Sequence, residues 1–197
     1  LYTTMYGAES IRRPLKAEEL NAVNYDRILE IAKERFANAS DFVFTFVGSV
    51  NIDSLKPMVE KYIASLPGNN SREKAGKLET IKKGKIRNHF TRETGTSKST
   101  VYGVYSGNTK YNMRNDLLLD ILSQVMDIVY TATIREEEGG TYGVGTNASV
   151  SPTTNRWVFL YGFDTNPEQQ DRLNKRAQKE LMNVVNSGAS DENFNKV

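Results

Sequence analysis

Arg135 and Tyr142 stand seven residues apart in the stretch REEEGGTYGVG, Arg135 to Gly145. A guanidinium offers a planar fork of donors to carbonyl oxygens, and a phenol hydroxyl can donate to a carbonyl oxygen that becomes negative in a transition state. Gly139, Gly140 and Gly143 carry no Cβ, so the backbone there can turn sharply and another chain can approach it closely. Both side chains could then face one open surface. A helix-capping arginine and an interior tyrosine account for the same residues, and chemistry alone does not choose between the two.

Other candidates are weaker. His89 is the only histidine, without a second histidine or a glutamate at ligand spacing, whereas a catalytic zinc normally takes three protein ligands. It reads as a surface or partly buried strand residue, and the same scarcity argues against a Ser-His-Asp triad. Glu136, Glu137 and Glu138 are consecutive; on a helix they point in different directions and do not converge on one ion, so they read as a solvated helix end. GGTYGVG resembles a phosphate loop only superficially, because phosphate loops run from strand to helix and here the order is helix to strand. Lys82, Lys83, Lys85 and Arg87 with Phe90 nearby make a minimal basic cluster, better read as a solvated linker than as a nucleic-acid footprint.

The elements that must position Arg135 and Tyr142 follow from periodicity. Leu117, Leu118, Ile121, Leu122, Val125, Met126 and Val129 repeat at helical spacing and predict a strong helix to about Arg135. Gly139 and Gly140 end it, Thr141 to Val150 reads as a strand, and a turn at Pro152 leads to a second, antiparallel strand from Trp157 to Phe163. Asn166 caps a further helix with Pro167 at its first position and Leu173, Ala177, Leu181 and Val184 on one stripe. Upstream, Ile86 to Arg92 and Thr100 to Ser106 alternate as strands. Nearer the start, Leu15 to Ala37 predicts one or two helices. Phe42 to Val47 is apolar on both faces, as a doubly covered central strand is. Asp53 caps a helix to Leu66, with Pro57 in its first turn. The order after residue 85 fits an α+β two-layer sandwich, a mostly antiparallel sheet with helices packed on one face.

Residues 69–85, polar and lysine-rich, form the expected linker between two domains, 1–68 and 86–197. Composition describes an ordinary soluble domain: 38% hydrophobic, 25% charged, net charge +2. The absence of cysteine removes disulfides and thiolate chemistry together. No uninterrupted apolar run approaches the roughly 20 residues of a membrane helix, so no membrane partner is expected. The chain opens on Leu1 and stops about one turn into a helix capped by Ser190, which reads as a fragment of something longer.

In residue types, spacing and intervening glycines, RxxxGGTYGV resembles the pitrilysin/insulinase (M16) family of zinc metallopeptidases, specifically the C-terminal half of its larger members. Asp41 to Pro67, DFVFTFVGSVNIDSLKPMVEKYIASLP, resembles the strand, helix and Leu-Pro ending with which each domain of that family closes. The resemblance makes residues 1–68 the C-terminal part of one αβ domain and 86–197 most of the next. It implies that Tyr142 supports the scissile carbonyl, that Arg135 holds substrate backbone beyond it, and that Gly140 and Gly143 border the bound peptide, which adds to a sheet edge. The family's H-x-x-E-H motif has no match here, so the resemblance places zinc and its general-base glutamate in the N-terminal half of the same polypeptide and leaves no metal ligand in this segment. The implied partners are that half and a peptide substrate, and the implied compartment is the bacterial periplasm or envelope. The alternative is a binding or assembly subunit of the same family that kept the fold and lost the metal.

Overall fold

The structure, a computed structural model, describes residues 1–74, 76 and 78–197. Its elements in chain order are α1 (Tyr2–Tyr6), α2 (Ala17–Leu20), α3 (Tyr25–Phe36), α4 (Ile52–Tyr62), β1 (Ser99–Asn108), α5 (Met113–Tyr130), a π-helical segment (Thr131–Glu137), β2 (Val144–Val150), β3 (Arg156–Thr165), α6 (Gln170–Ser187) and α7 (Asp191–Phe194). They fall into two compact units, one essentially Ala8–Thr80 and the other Thr3–Gly7 with Ile81–Val197.

In the first unit, Leu15 to Ala37 forms two helices. Asn24 caps α3 by accepting from the Arg27 amide at 2.9 Å. The cap of α4 is Asn51, not Asp53: its side chain accepts from the Ser54 amide at 3.0 Å. The helix therefore starts earlier than expected, and Pro57 lies beyond the first turn, where its missing N–H removes one intrahelical bond. Phe42–Val47 belongs to no strand, and Val43 and Val47 are 80% and 93% exposed. A strand is defined by its ladder, and among the described residues no segment pairs with this one.

The second unit is the expected α+β sandwich. Its three described strands lie in the order β1-β3-β2, antiparallel throughout. Phe159, Tyr161 and Phe163 of β3 are buried against Met126, Tyr130 and Ile134 of the long helix and Leu173, Ala177 and Leu181 of α6, with Trp157 half-buried beside them. Each of these helical triplets recurs every four residues, as one face of a helix requires. Glycines opposite aromatics let the two layers close: Gly103 pairs with Tyr161 and Gly107 with Trp157, and a Cβ at Gly103 would lie 2.1 Å from the Tyr161 ring. The helix Met113–Glu137 is long and apolar enough to cross a membrane by length and composition; here one face of it, with Met126, Tyr130 and Ile134, packs into the core of this sandwich. Ile86 to Arg92, expected as a strand, is exposed and outside the ladder, and His89 is exposed with it. Within the basic cluster, Arg87 pairs with Asp171 at 3.0 Å. Helix α6 begins at Gln170 rather than at Pro167, because Asn166 to Gln169 closes a separate turn through Gln169 N to Asn166 O, 3.0 Å.

Two phenols are bonded inside the core: Tyr130 donates to the Ala177 carbonyl at 3.0 Å and Tyr161 to Asn174 Oδ1 at 2.7 Å. Burial disfavours the phenolate, pushing Tyr130 up and Tyr161 up to about 12. An unfolded tyrosine ionises near about 10. Between those values the folded state binds more protons than the unfolded one, so this contribution is complete below about pH 10 and is lost as pH rises toward about 12. Urea midpoints should therefore fall above about pH 10, and Tyr161→Phe should flatten part of that fall. An identical alkaline slope in the variant would remove Tyr161 from the cause.

Candidate functional site: the glycine loop and the open sheet face

The helix leading into the REEEGGTYGVG stretch changes pitch before it ends. From Thr131 to Glu137 it is a π-helix, closed by Glu138 N to Thr133 O at 3.2 Å. Thr133 Oγ1 donates to the Val129 carbonyl at 2.8 Å, engaging an acceptor of the regular ladder, and β-branched Thr131, Thr133 and Ile134 crowd the same turn. The wider turn buries Ile134 and leaves Arg135 exposed, with no carboxylate among the described residues forming an ion pair with it. Short π segments of this kind occur often at functional sites.

Of the three glutamates, Glu136 is exposed as the sequence suggests, whereas Glu137 and Glu138 are tied to α6. Glu137 pairs with Arg176 at 2.8 Å, Glu138 pairs with Arg172 and lies 3.8 Å from Arg176, and Arg176 Nε approaches Glu180 Oε1 to 2.8 Å without the alignment of a hydrogen bond. Partly exposed pairs contribute little stability each, but together they pin the π turn to α6.

Gly139, at φ 57°, takes the left-handed conformation that ends the helix. Gly140 is buried rather than open to an approaching chain: a Cβ there would lie 2.4 Å from Leu173. Its carbonyl accepts from Thr165 Oγ1 at 2.6 Å. Thr165→Val keeps the shape and strands that carbonyl, which should cost about 1–3 kcal/mol. Thr165→Ser should recover most of it in urea titrations, and equal losses in both variants would mean that packing, not the hydroxyl, holds the loop. Beyond Gly140, Thr141 Oγ1 bridges the Gly143 amide and carbonyl at 3.2 and 2.8 Å. This small ring leaves Tyr142 fully exposed.

Tyr142 and Gly143 line a groove of about 600 Å³ on the sheet face turned away from the helices. Thr100 and Tyr102 of β1, Leu160 and Asp164 of β3 and Asn147 of β2 share it, placed by the register Thr100↔Asp164, Tyr102↔Gly162 and Asn147↔Leu160. Asp164 accepts from Thr100 at 2.5 Å and from Lys98 at 2.9 Å, which hold its carboxyl below the usual range. Arg135 and Gly140 are not in this lining. At the outer edge of β2 the Thr146 amide donates to Asp127 Oδ1 of α5 at 2.8 Å. That amide is therefore not free to pair with an added strand. Among the described residues no group of three or more His, Cys, Asp or Glu could hold a metal ion.

A three-stranded antiparallel sheet backed by two long helices on one face, with a tyrosine projecting from a glycine loop beside the other, defines a two-layer αβ sandwich domain. The chain belongs to the M16 peptidase family: residues 22–197 match the family model described as the peptidase M16 inactive domain. It is 24% identical over its whole length to the probable zinc protease PqqL of Escherichia coli (strain K12), covering 21% of that protein. The crystal structure of the periplasmic protease PqqL from Escherichia coli superposes with a TM-score of 0.84 at 23% identity, over 99% of this chain and 22% of that one. The ferredoxin protease FusC, solved in complex with Arabidopsis ferredoxin, gives a TM-score of 0.77 at 15% identity, over 99% of this chain and 21% of that one. The chain thus spans about a fifth of the length of these relatives.

Thr165, Arg172 and Arg176 were not among the residues expected at the site. Their contacts to the loop cross 25 to 39 residues of sequence, and no local pattern marks them.

Proposed function

We propose that this chain is the substrate-binding, non-zinc-binding segment of a zinc-dependent endopeptidase. The observation that carries the reading is Tyr142: in a chain of the M16 family, its phenol is held fully exposed on the wall of an open groove. Tyr142 donates to the scissile carbonyl oxygen, and Arg135, without an ion-pair partner in the described chain, holds substrate backbone. Gly143 borders the groove and allows close approach; Gly140 acts indirectly, by seating the loop against Leu173. A donor already aimed at a developing oxyanion lowers a barrier without reorganisation at the moment of reaction.

Among the described residues no cluster fits a zinc site, and membership of the M16 family leads us to assign the metal to the N-terminal half of the same polypeptide, which is also the structural partner of this segment. This segment alone is then inactive. Peptides are the substrate class, as the proteases it resembles suggest, and the periplasm is the compartment in line with the periplasmic relative. Removing only the Tyr142 hydroxyl, as Tyr142→Phe in the full-length polypeptide, tests the reading through turnover. If the intact polypeptide folds but hydrolyses no peptide or protein, the reading gives way to a non-catalytic binding subunit.

A further inference from the structure

Gly145 of β2 and Gly162 of β3 are directly paired across the sheet and both lie on its open face. With no side chain on either strand at this register, the sheet carries a bare-backbone trough. Tyr102, opposite Gly162 on β1, lies over Gly162: a Cβ there would come within 2.7 Å of the ring. Tyr102 therefore fills the Gly162 side of the trough and forms its wall. The Gly145 side is empty, since a Cβ built there meets nothing within 4 Å and the backbone is not in the left-handed region. The other walls are Leu160, Asn147 and the exposed ring of Tyr142. The charged groups of the groove, Lys98 and Asp164, neutralise each other at 2.9 Å and leave no free charge to anchor a charged occupant. Tyr102, Leu160 and the Tyr142 ring make an apolar surround with Asn147 as its polar group, the usual character of a side-chain pocket.

We propose that the Gly145–Gly162 trough is a specificity pocket that receives one uncharged, apolar side chain of the peptide, at a position next to the bond that Tyr142 supports. This rests on the reading of Tyr142 as the carbonyl donor. Gly145 is the specificity-determining residue, because any side chain there occupies the space the substrate would use. Leucine or phenylalanine suits the trough; lysine and glutamate would leave water for a site without a counter-charge.

The test uses the full-length polypeptide and peptides in which each residue flanking the scissile bond is varied in turn among Gly, Leu, Phe, Lys and Glu. The wild type should show one position at which Leu or Phe exceeds Gly by at least about tenfold in kcat/KM. Gly145→Leu should reduce that ratio to near one, with Gly145→Ala between. An unchanged ratio in Gly145→Leu overturns the pocket, as does a wild type indifferent to all five residues. Anisotropy of the same labelled peptides reads the same ratio in Kd where turnover is absent. The outcomes stay separable: loss of turnover for every peptide in Tyr142→Phe concerns the carbonyl donor, whereas a collapsed side-chain ratio in Gly145→Leu concerns the trough. A thermal midpoint for Gly145→Leu close to wild type is expected from the open space around that Cβ, and Gly145→Ala decides the matter if the larger variant does not fold.

Discussion

Tyr142→Phe in the full-length polypeptide is expected to lower kcat by about 10²- to 10³-fold, the effect of removing one oxyanion donor, while KM changes little. The side chain is fully exposed and its hydroxyl has no hydrogen-bond partner among the described residues, so the change subtracts no folding interaction. The thermal midpoint should therefore stay where it is. That separation between kinetics and stability is what distinguishes a transition-state donor from a packing residue. Unchanged turnover would reduce Tyr142 to a surface residue. A rise in KM with kcat intact would make it a contact for the ground state alone.

The largest expected loss of stability follows from Tyr161→Ala. Tyr161 is completely buried, lies directly against Gly103, stacks edge-on to Tyr130 at 5.5 Å and donates to Asn174. Truncation removes the transfer energy of the ring and leaves a cavity between sheet and helices, a combination that costs about 3–5 kcal/mol for large aromatic residues. Against a typical total of about 5–15 kcal/mol this is a large share. Tyr161→Phe keeps the ring and should lose only about 1 kcal/mol, the worth of one hydrogen bond. The pairing with Gly103 supplies a sharper test. Gly103→Ala alone forces a methyl into the ring and should destabilise, but in the Tyr161→Ala background the same methyl enters vacated space. The double variant should be more stable than the sum of the two losses predicts. Strict additivity would show that the two residues do not share that space.

A good part of this molecule is legible from local pattern. Three strands and the helices α5 and α6 appear where alternation and four-residue spacing put them, because periodicity reflects which side of an element faces the core. The layering of helices on one sheet face follows from the single apolar stripe on each helix. Local pattern does not reveal which strand-like segments find a partner. Phe42–Val47 and Ile86–Arg92 have the composition of strands, yet a ladder is a relation between two segments, and none of the described residues supplies the second one.

The same division runs through the candidate site. The Arg135–Tyr142 spacing and the glycines between them are properties of the sequence, and with the longer Asp41–Pro67 stretch they carried the family resemblance that the residue 22–197 match shows. The tertiary structure decided what each glycine does. Gly139 supplies the left-handed turn, Gly140 yields its space to Leu173, and Gly145 meets Gly162 across the sheet to leave a hollow. It also turned two of three apparently solvated glutamates, Glu137 and Glu138, into a clamp on α6, and engaged the Thr146 amide of β2 with Asp127. Sequence by itself determined the residue types, their spacing and the periodic elements. Register across strands, the pitch change to a π turn and contacts over tens of residues were decided only in three dimensions. They depend on which surfaces meet, and one residue of register reverses the face on which every side chain of a strand lies.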